Sequence, residues 1–264
     1  MGEGRGEGPV PLSPAMNRFQ MGAVACSTHT IGDLIVELAT LLNDKSLQPR
    51  TILCVNAHIY NLAVKNEALR RNLNSSRVIA ADGMGVVWAA RMFGVRMTER
   101  CNMTEAFREF LLSKSIPSNT AILIGCSPDE ANAAAAEIHR LSKHCRVIEA
   151  ISGYLSDSEY QRICAASRAD FILLGMGTPR TEQVAAIAAA AAPEAIVWGI
   201  GGGTVRILAG RMREAPLAWR RLGLQWLYRL ITDPVTLWQR YLIGNPLFLM
   251  RVFRASRRSR GHPN

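Results

Sequence analysis

Polar residues follow three predicted strands, at the positions where parallel sheets bind their ligands. Asn56 comes after the run TILCV (51–55), and Asp82 comes after RVIA (77–80). The turn GMGTP (175–179) comes after DFILL. Because the carboxyl ends of parallel strands meet at one edge of a sheet, we expect these positions to converge. A carboxylate there can take a proton from a substrate hydroxyl, and an amide beside it can hold a ligand.

Asp82 and Asn56 each have a structural interpretation as well. Asp82-Gly83 is typical of a tight turn, and Asp is a common helix N-cap. Asn56 is equally suited to cap a helix at the end of its strand. Arg100, in the segment TERCNMT, is either a solvated loop charge or a planar clamp for a diphosphate near Asp82.

The two glycine-rich turns are also open to two interpretations. In the first, Thr178 would be an N-cap and Pro179 the first helical residue, or Gly177 would expose backbone N–H groups to a phosphate. The second, GIGGG (199–203), gives similar backbone access around Gly202. It is not a dinucleotide fingerprint, because Thr204 occupies the sixth position of G-x-G-x-x-G.

Short apolar runs alternate with segments of helical spacing from about residue 31 to about residue 205. This alternation predicts an α/β fold with a mostly parallel, doubly wound, Rossmann-like sheet. The predicted strands are 51–55, 77–80, 120–125, 145–150, 170–175 and 195–199, and the predicted helices are 31–43, 59–72, 84–93, 104–114, 128–142, 156–167 and 180–192. We expect a flexible leader over 1–18, an α/β catalytic domain over 19–205 and a basic helical appendage over 206–264.

The positive charge of the chain is concentrated at its C-terminal end. The net charge is +10, from 31 Lys and Arg against 21 Asp and Glu. Residues 206–264 contain 12 Arg, no Lys and two acidic residues, Glu214 and Asp233. They also contain two amphipathic stretches rich in Trp, Tyr and Leu. The pattern predicts either two helices packed on the body with a solvated basic tail, or an element at an anionic membrane surface.

Several other classes of site lack support in the sequence. The six Cys are spread singly and the five His show no ligand spacing, so no metal site is predicted. The N-terminal segment lacks the apolar core of a signal peptide, and no apolar run reaches the ~18–20 residues of a spanning helix. We therefore expect a protein of the cytoplasm that does not cross the membrane.

The ordered set of motifs resembles the WecG/TagA/CpsF glycosyltransferases. The similarity runs from about residue 30 to about residue 250 and includes VNAHIYNLAVKNEALR (55–70), ADGMGVVWAARMFG (81–94), ER (99–100), SGY (152–154), GMGTPRTE (175–182), AGRMREAP (209–216), GLQWLYRL (223–230) and TDPVTLWQRYLIGNPLF (232–248). Members of this family move a sugar from a UDP donor to a saccharide on a polyprenyl diphosphate, with inversion and without a metal or other cofactor.

The resemblance implies roles for individual residues. Asp82 would be the general base, and the donor or acceptor would be bound by Asn56, Gly83, Arg100, Gly177, Thr178, Pro179, Thr181 and Gly202. Contact with the lipid diphosphate or the membrane would come from Arg221, Arg229 and Arg240. The expected partners are a UDP-sugar, a polyprenyl-diphosphate-linked saccharide and an anionic membrane at its inner face, with no nucleic acid; a homo-oligomer is left open.

Some positions depart from the family pattern. Thr181 replaces the Gln of G-S-P-K-Q-E, which leaves the transferred sugar open. Arg206 replaces an Asp after the glycine turn, and Met103 replaces a Gly. Glu214 and Gln225 replace an Arg and a Glu, which would remove one ion pair together.

Two other functions remain as alternatives from the residues alone. The first is a non-catalytic protein that uses its arginines to bind a membrane surface or nucleic acid, with weak and salt-sensitive affinity. The polar strand ends argue against it, because a pure binder does not need them. The second is a nicotinamide-dependent oxidoreductase, which the broken glycine pattern disfavours.

Overall fold

The computed structural model describes residues 18–260 and begins with a hairpin that the sequence did not predict. Strands β1 (Arg18–Met21) and β2 (Val24–Ser27) pair antiparallel around Gly22, whose φ is +67°. Ser27 Oγ accepts a hydrogen bond of 3.0 Å from the backbone N–H of Ile79. The hairpin therefore covers the outer edge of the main sheet. The predicted flexible leader lies outside the described residues, apart from Arg18 in β1.

The six predicted strands form one parallel sheet, which confirms the α/β Rossmann-like fold. Their order across the sheet is β4-β3-β8-β7-β5-β6, and all neighbouring pairs are parallel. The strands are β3 (Thr51–Val55), β4 (Val78–Ala81), β5 (Asn119–Ile124), β6 (Cys145–Ile151), β7 (Phe171–Leu174) and β8 (Ile196–Gly199).

The helices that connect these strands agree closely with the predicted ones, with two exceptions. They are α1 (Ile31–Asn43), α2 (Ala57–Lys65), α3 (Glu67–Asn74), α4 (Met84–Met92), α5 (Met103–Leu112), α6 (Pro128–Leu141), α7 (Asp157–Ala166), α8 (Arg180–Ala191) and α9 (Gly202–Leu208). The single helix predicted over 59–72 is wrong, because Asn66 ends α2 and caps α3 by accepting a hydrogen bond from the Leu69 N–H at 3.0 Å. Helix α9 was not predicted, and the expected domain boundary at 205/206 falls inside it.

Apolar layers cover both faces of the sheet, since alternate residues of each strand point to opposite sides. Leu53 and Val55 of β3 join the layer that also contains the hairpin, whereas Ile52 joins the opposite layer. Four aromatic side chains lie within that second layer with ring centroids 5.2–6.5 Å apart: Phe107, Phe110, Phe171 and Trp198. The sheet is thereby a rigid support for the residues at its carboxyl edge.

The C-terminal segment (residues 217–260) is mostly helical and returns to the body. It contains α10 (Leu217–Arg221), α11 (Gln225–Thr232), α12 (Pro234–Trp238), a π-helical turn (Gln239–Ile243) and α13 (Gly244–Arg260). Phe248 and Val252 of α13 are fully buried in the apolar core, and the Phe248 ring meets the Tyr60 ring edge-on at 5.1 Å. The segment is therefore a helix that packs on α2 and α4, although Arg254, Arg257 and Arg258 near its end are exposed, as predicted for a basic tail.

Candidate functional site

A cavity of about 720 Å³ lies at the carboxyl edge of the sheet and brings most of the predicted site residues together. Every strand of the parallel sheet contributes lining residues at or just beyond its end, and the C-terminal segment closes the opposite side. The predicted residues that line it are Asn56, Asp82, Gly83, Arg100, Gly177, Thr178, Thr181, Gly202, Arg229 and Arg240. Pro179 and Arg221 are both exposed and are not among the lining residues.

Asp82 is not a helix cap, so that structural interpretation of the residue is wrong. The N-cap of α4 is Gly83, with φ +118° and no side-chain cap. The Asp82 carboxylate instead accepts hydrogen bonds from Asn102 Nδ2 at 2.8 Å and from Asn56 Nδ2 at 3.4 Å. The side chain is partly buried. Two amides thus hold a carboxylate in one orientation at the cavity wall.

Asn56 caps a helix, as one of its two interpretations predicted, and its amide also reaches Asp82. Its Oδ1 accepts the backbone N–H groups of His58 and Ile59 at 3.1 and 3.0 Å, which caps α2. This leaves the Nδ2 group to donate toward Asp82. Because the cap fixes the amide orientation, the sequence at the start of α2 determines how Asp82 is held.

Asn102 is a site residue that sequence reasoning missed. It is buried, and its Oδ1 caps α5 by accepting the Glu105 N–H at 3.1 Å while its Nδ2 donates to Asp82. Asn followed three residues later by Glu is a recognisable start signal for a helix. That signal predicts the cap, but it does not predict the contact with Asp82.

Arg100 joins the body to the C-terminal segment. Its guanidinium donates to Glu105 Oε1 at 2.8 Å, to Gln225 Oε1 at 3.1 Å and to the Arg220 carbonyl at 3.2 Å. Burial raises the pKa of Glu105, although Arg100 and Arg220 oppose this change. The guanidinium therefore lies at the cavity wall with three protein partners, and it holds α11 against α5.

The turn after β7 is shaped by glycine and by two buried side chains. Gly177 has φ +94°, which suits a glycine, and α8 begins at Arg180, so Thr178 is not its N-cap. Thr178 Oγ1 donates to Glu182 Oε1 at 2.8 Å, and burial raises the pKa of Glu182. Thr181 is buried, and its Oγ1 accepts the Met176 N–H at 3.3 Å. Thr181 therefore stabilises the turn by this hydrogen bond, and it also lines the cavity.

Two arginines of the C-terminal segment reach the cavity beside the glycine turns. A Cβ atom at Gly203 would lie only 2.7 Å from Arg229 Nη2, so the glycine allows this guanidinium to approach α9. The Arg240 guanidinium lies over the Tyr241 ring at 5.6 Å. Its Nε atom is buried and has no hydrogen-bond partner among the described residues. Arg240 lines the cavity, and its positive charge makes this part of the cavity suited to an anion.

Arg240 acts on His58, which lines the same cavity. Burial, together with the nearby Arg240 charge, lowers the pKa of His58 to about 4. The imidazole is therefore neutral at neutral pH, and the positive charge in this part of the site comes from the arginines.

Three residues that depart from the family pattern form ion pairs or hydrogen bonds near the cavity. Glu214 contacts Arg108 at 2.8 Å and Arg220 at 3.1 Å, whereas Gln225 contacts Arg100. Glu214 and Gln225 thus belong to one network, which runs between them through arginines and Glu105. Arg206 lines the far end of the cavity, 3.5 Å from Glu130.

Residues 18–260 contain neither a membrane-spanning helix nor a cluster of metal ligands. No helix there combines the length and the apolar character needed to cross a membrane. In the same residues, no group of three or more His, Cys, Asp or Glu side chains could hold a metal ion.

A parallel sheet with an oriented carboxylate, glycine turns and arginines at its carboxyl edge is typical of enzymes that act on phosphorylated ligands. The chain matches the model of the glycosyl transferase WecG/TagA/CpsF family over residues 20–262, and it belongs to this family. It is therefore a glycosyltransferase of cell-surface polysaccharide synthesis.

Proposed function

We propose that the protein is an inverting glycosyltransferase that moves a sugar from a UDP-sugar to a saccharide linked to a polyprenyl diphosphate. The observation that carries this proposal is the Asp82 carboxylate, held by two amides in the same cavity as Arg229 and Arg240. The cavity therefore pairs a group that can accept a proton with groups that can bind a diphosphate.

Asp82 acts as the general base. It takes the proton of the acceptor hydroxyl while that oxygen attacks the anomeric carbon of the donor sugar. The bond between the anomeric carbon and the β-phosphate oxygen breaks on the opposite face, so the configuration inverts. Asn102 and Asn56 keep the carboxylate in the orientation that receives the proton.

The departing UDP carries the negative charge that develops in this step. Backbone N–H groups of the turn after β7 and the guanidinium groups of Arg229 and Arg240 stabilise that charge. The position of Arg240 at the cavity wall supports this role, because a guanidinium forms strong hydrogen bonds with phosphate oxygens. Arg100 acts mainly through Gln225 and Glu105, as the group that keeps α11 in place.

The C-terminal segment brings the enzyme to its lipid-linked acceptor. Leu222, Ile231 and Val235 are 72%, 62% and 86% exposed, and the same segment carries the exposed Arg221. Apolar side chains beside arginines are what an anionic bilayer surface binds. In this proposal Arg221 contacts the membrane at its inner face, whereas Arg229 and Arg240 contact diphosphate groups.

The test combines donor binding with turnover. Purified protein is expected to show a higher Tm with UDP, because a ligand of the native state stabilises it. Asp82→Asn should keep this shift and lose about 10²–10⁴-fold in turnover on a synthetic lipid-diphosphate saccharide. Asp129→Asn, an exposed carboxylate at the start of α6, is the matched control and should behave as the wild type.

Other outcomes would overturn the proposal. Wild-type turnover of Asp82→Asn at saturating acceptor removes Asp82 from the role of base. No shift with UDP, together with salt-sensitive binding to vesicles or DNA, would favour a non-catalytic basic protein instead. If the proposal holds, a screen of the UDP derivatives of N-acetylmannosamine, its uronic acid and glucose identifies the transferred sugar.

A further inference from the structure

The end of the cavity farthest from Asp82 has a chemistry of its own. Asp82 follows β4 at one edge of the sheet, and Cys126 and Tyr154 follow β5 and β6 at the other. Four strand spacings separate β4 from β5, which is about 19 Å. The cavity therefore extends well beyond the length of one sugar.

If the proposed function is correct, the direction of the donor in this cavity follows. The anomeric carbon must lie beside Asp82, and the diphosphate beside the glycine turns and Arg229. The nucleoside then extends toward the ends of β5 and β6. This end contains the Tyr154 ring, which is 74% exposed, with Met176 beside Gly153. An exposed aromatic ring and a thioether form a suitable surface for a flat base.

One ion pair lies at this end of the cavity. Arg206 Nε is 3.5 Å from Glu130 Oε1, and the arginine also lies beside the Cys126 thiol. The other Glu130 oxygen accepts the Ser127 N–H at 3.0 Å in the capping box of α6. Glu130 is thereby fixed by its own helix, and it restrains Arg206 at the cavity wall.

We propose that Arg206 selects a donor nucleotide with a keto base, uracil or guanine, over one with an amino base, cytosine or adenine. An arginine has only hydrogen-bond donors. Uracil O4 and guanine O6 are acceptors, whereas cytosine N4 and adenine N6 carry donor hydrogens at the same positions. A keto oxygen opposite the guanidinium gains a charge-assisted hydrogen bond, which an amino group at the same position cannot form. Glu130 is a positioning residue for this selection.

The experiment compares nucleoside diphosphates that differ only in the base. Calorimetric titration of the full chain with UDP, CDP, GDP and ADP gives four Kd values, and the phosphate contribution cancels within the UDP/CDP pair. The wild type should bind UDP about 10- to 100-fold more tightly than CDP, as expected for a hydrogen bond to a charged group.

Arg206→Ala should reduce the UDP/CDP ratio to within about threefold of one while CDP binding stays unchanged. Arg213→Ala removes the same charge from an exposed position outside the cavity lining and should keep the wild-type ratio. Glu130→Gln retains a residue that suits the capping box and should give an intermediate ratio. Equal melting temperatures of the wild type and these variants would show that a change in the UDP/CDP ratio does not come from unfolding.

Three results would overturn the inference, and they can be told apart. Equal binding of UDP and CDP by the wild type shows that the site does not select the base. An equal loss of UDP and CDP affinity in Arg206→Ala assigns the arginine to the phosphates instead. Binding of none of the four nucleotides overturns the proposed function itself, and with it this inference.

Discussion

Asn102 Nδ2 donates a hydrogen bond of 2.8 Å to Asp82 Oδ1, and the same side chain caps α5 through its Oδ1. One amide thus connects the start of a helix to the candidate general base. Asn102 Oδ1 accepts the Glu105 N–H, so Nδ2 cannot rotate away from Asp82 unless this cap is broken. This relationship explains how a partly buried carboxylate keeps a single orientation in a wide cavity.

Asn102→Asp should separate the two roles of this residue. Asp is as good an N-cap as Asn, so the urea midpoint should change little. A second carboxylate against Asp82 favours a shared proton, so kcat at neutral pH should fall and the acidic limb of the kcat profile should move to higher pH. Asn102→Ser keeps a capping group without the added charge but loses the hydrogen bond to Asp82, so its acidic limb should move in the same direction by less than in Asn102→Asp. An unchanged profile in Asn102→Asp would contradict the assignment of Asp82.

Gly203→Ala should impair activity without weakening the fold. Gly203 is the second residue of α9, and Ala has a higher helix propensity than Gly, so the helix should not be weakened. The new methyl group would lie 2.7 Å from Arg229 Nη2, so the guanidinium must move. We expect turnover to fall about 10-fold, since one charge-assisted hydrogen bond to phosphate contributes about 1.5–3 kcal/mol.

The control for this variant is Gly32→Ala in α1, where the nearest atom to the added methyl is 3.7 Å away. It should gain similar stability and keep full turnover. If Gly203→Ala also keeps full turnover, the observed position of Arg229 is not needed for the reaction.

Val235→Glu should weaken association with membranes and leave the chemistry intact. Val235 is 86% exposed in α12 and is not a cavity-lining residue, so the substitution costs little stability. Burial of a Val side chain contributes about 1.5 kcal/mol, so binding to anionic vesicles should fall about 10-fold or more. Flotation of vesicles measures this change, and turnover on a short water-soluble acceptor should stay constant.

Val36→Glu is the matched control, because Val36 is also exposed but lies on α1 of the body. It should bind vesicles as the wild type does. A similar loss in both variants would indicate general repulsion by the added charge and would remove the C-terminal segment from this role.

His58 should make the fold sensitive to acid. In the unfolded chain its imidazole takes up a proton near pH 6.5, whereas in the folded protein burial and Arg240 lower the pKa to about 4. The unfolded state therefore binds more protons between these values, and stability falls as the pH is lowered from about 6.5 to about 4. His58→Gln removes this contribution. Urea unfolding should show that the free energy of unfolding decreases less between pH 7.5 and pH 4.5 in the variant than in the wild type. Equal decreases in both proteins would contradict the prediction.

Much of the fold followed from local patterns. The helix over 31–43 and the strand over 51–55 match the structure to the residue, since their hydrophobic period and their boundary residues agree. The helix predicted over 59–72 did not, because both halves share one apolar pattern and only the Asn66 cap separates them. The hairpin over 18–27 was missed because each of its strands has only four residues, too few to show a period.

The residues of the candidate site were likewise only partly predictable from the sequence. Asn56 and Asp82 were predictable as neighbours, since each follows a parallel strand and both therefore reach the same edge. Asn102, Gln225 and Glu182 were not, because each comes from a helix whose place depends on packing. The C-terminal arginines show this most clearly, since the resemblance gave Arg221 and Arg229 the same role, yet only Arg229 lines the cavity.

The amino-acid sequence alone determined the direction of every strand in the parallel sheet, and hence the edge at which Asp82 and the glycine turns would meet. These features can be read from the sequence because apolar strand segments and helix caps depend on residues that are close together in the chain. Tertiary structure decided which amides hold Asp82, which arginines line the cavity and that α13 returns to the core. Those contacts join residues far apart in the chain, and their geometry depends on how complete layers pack against one another.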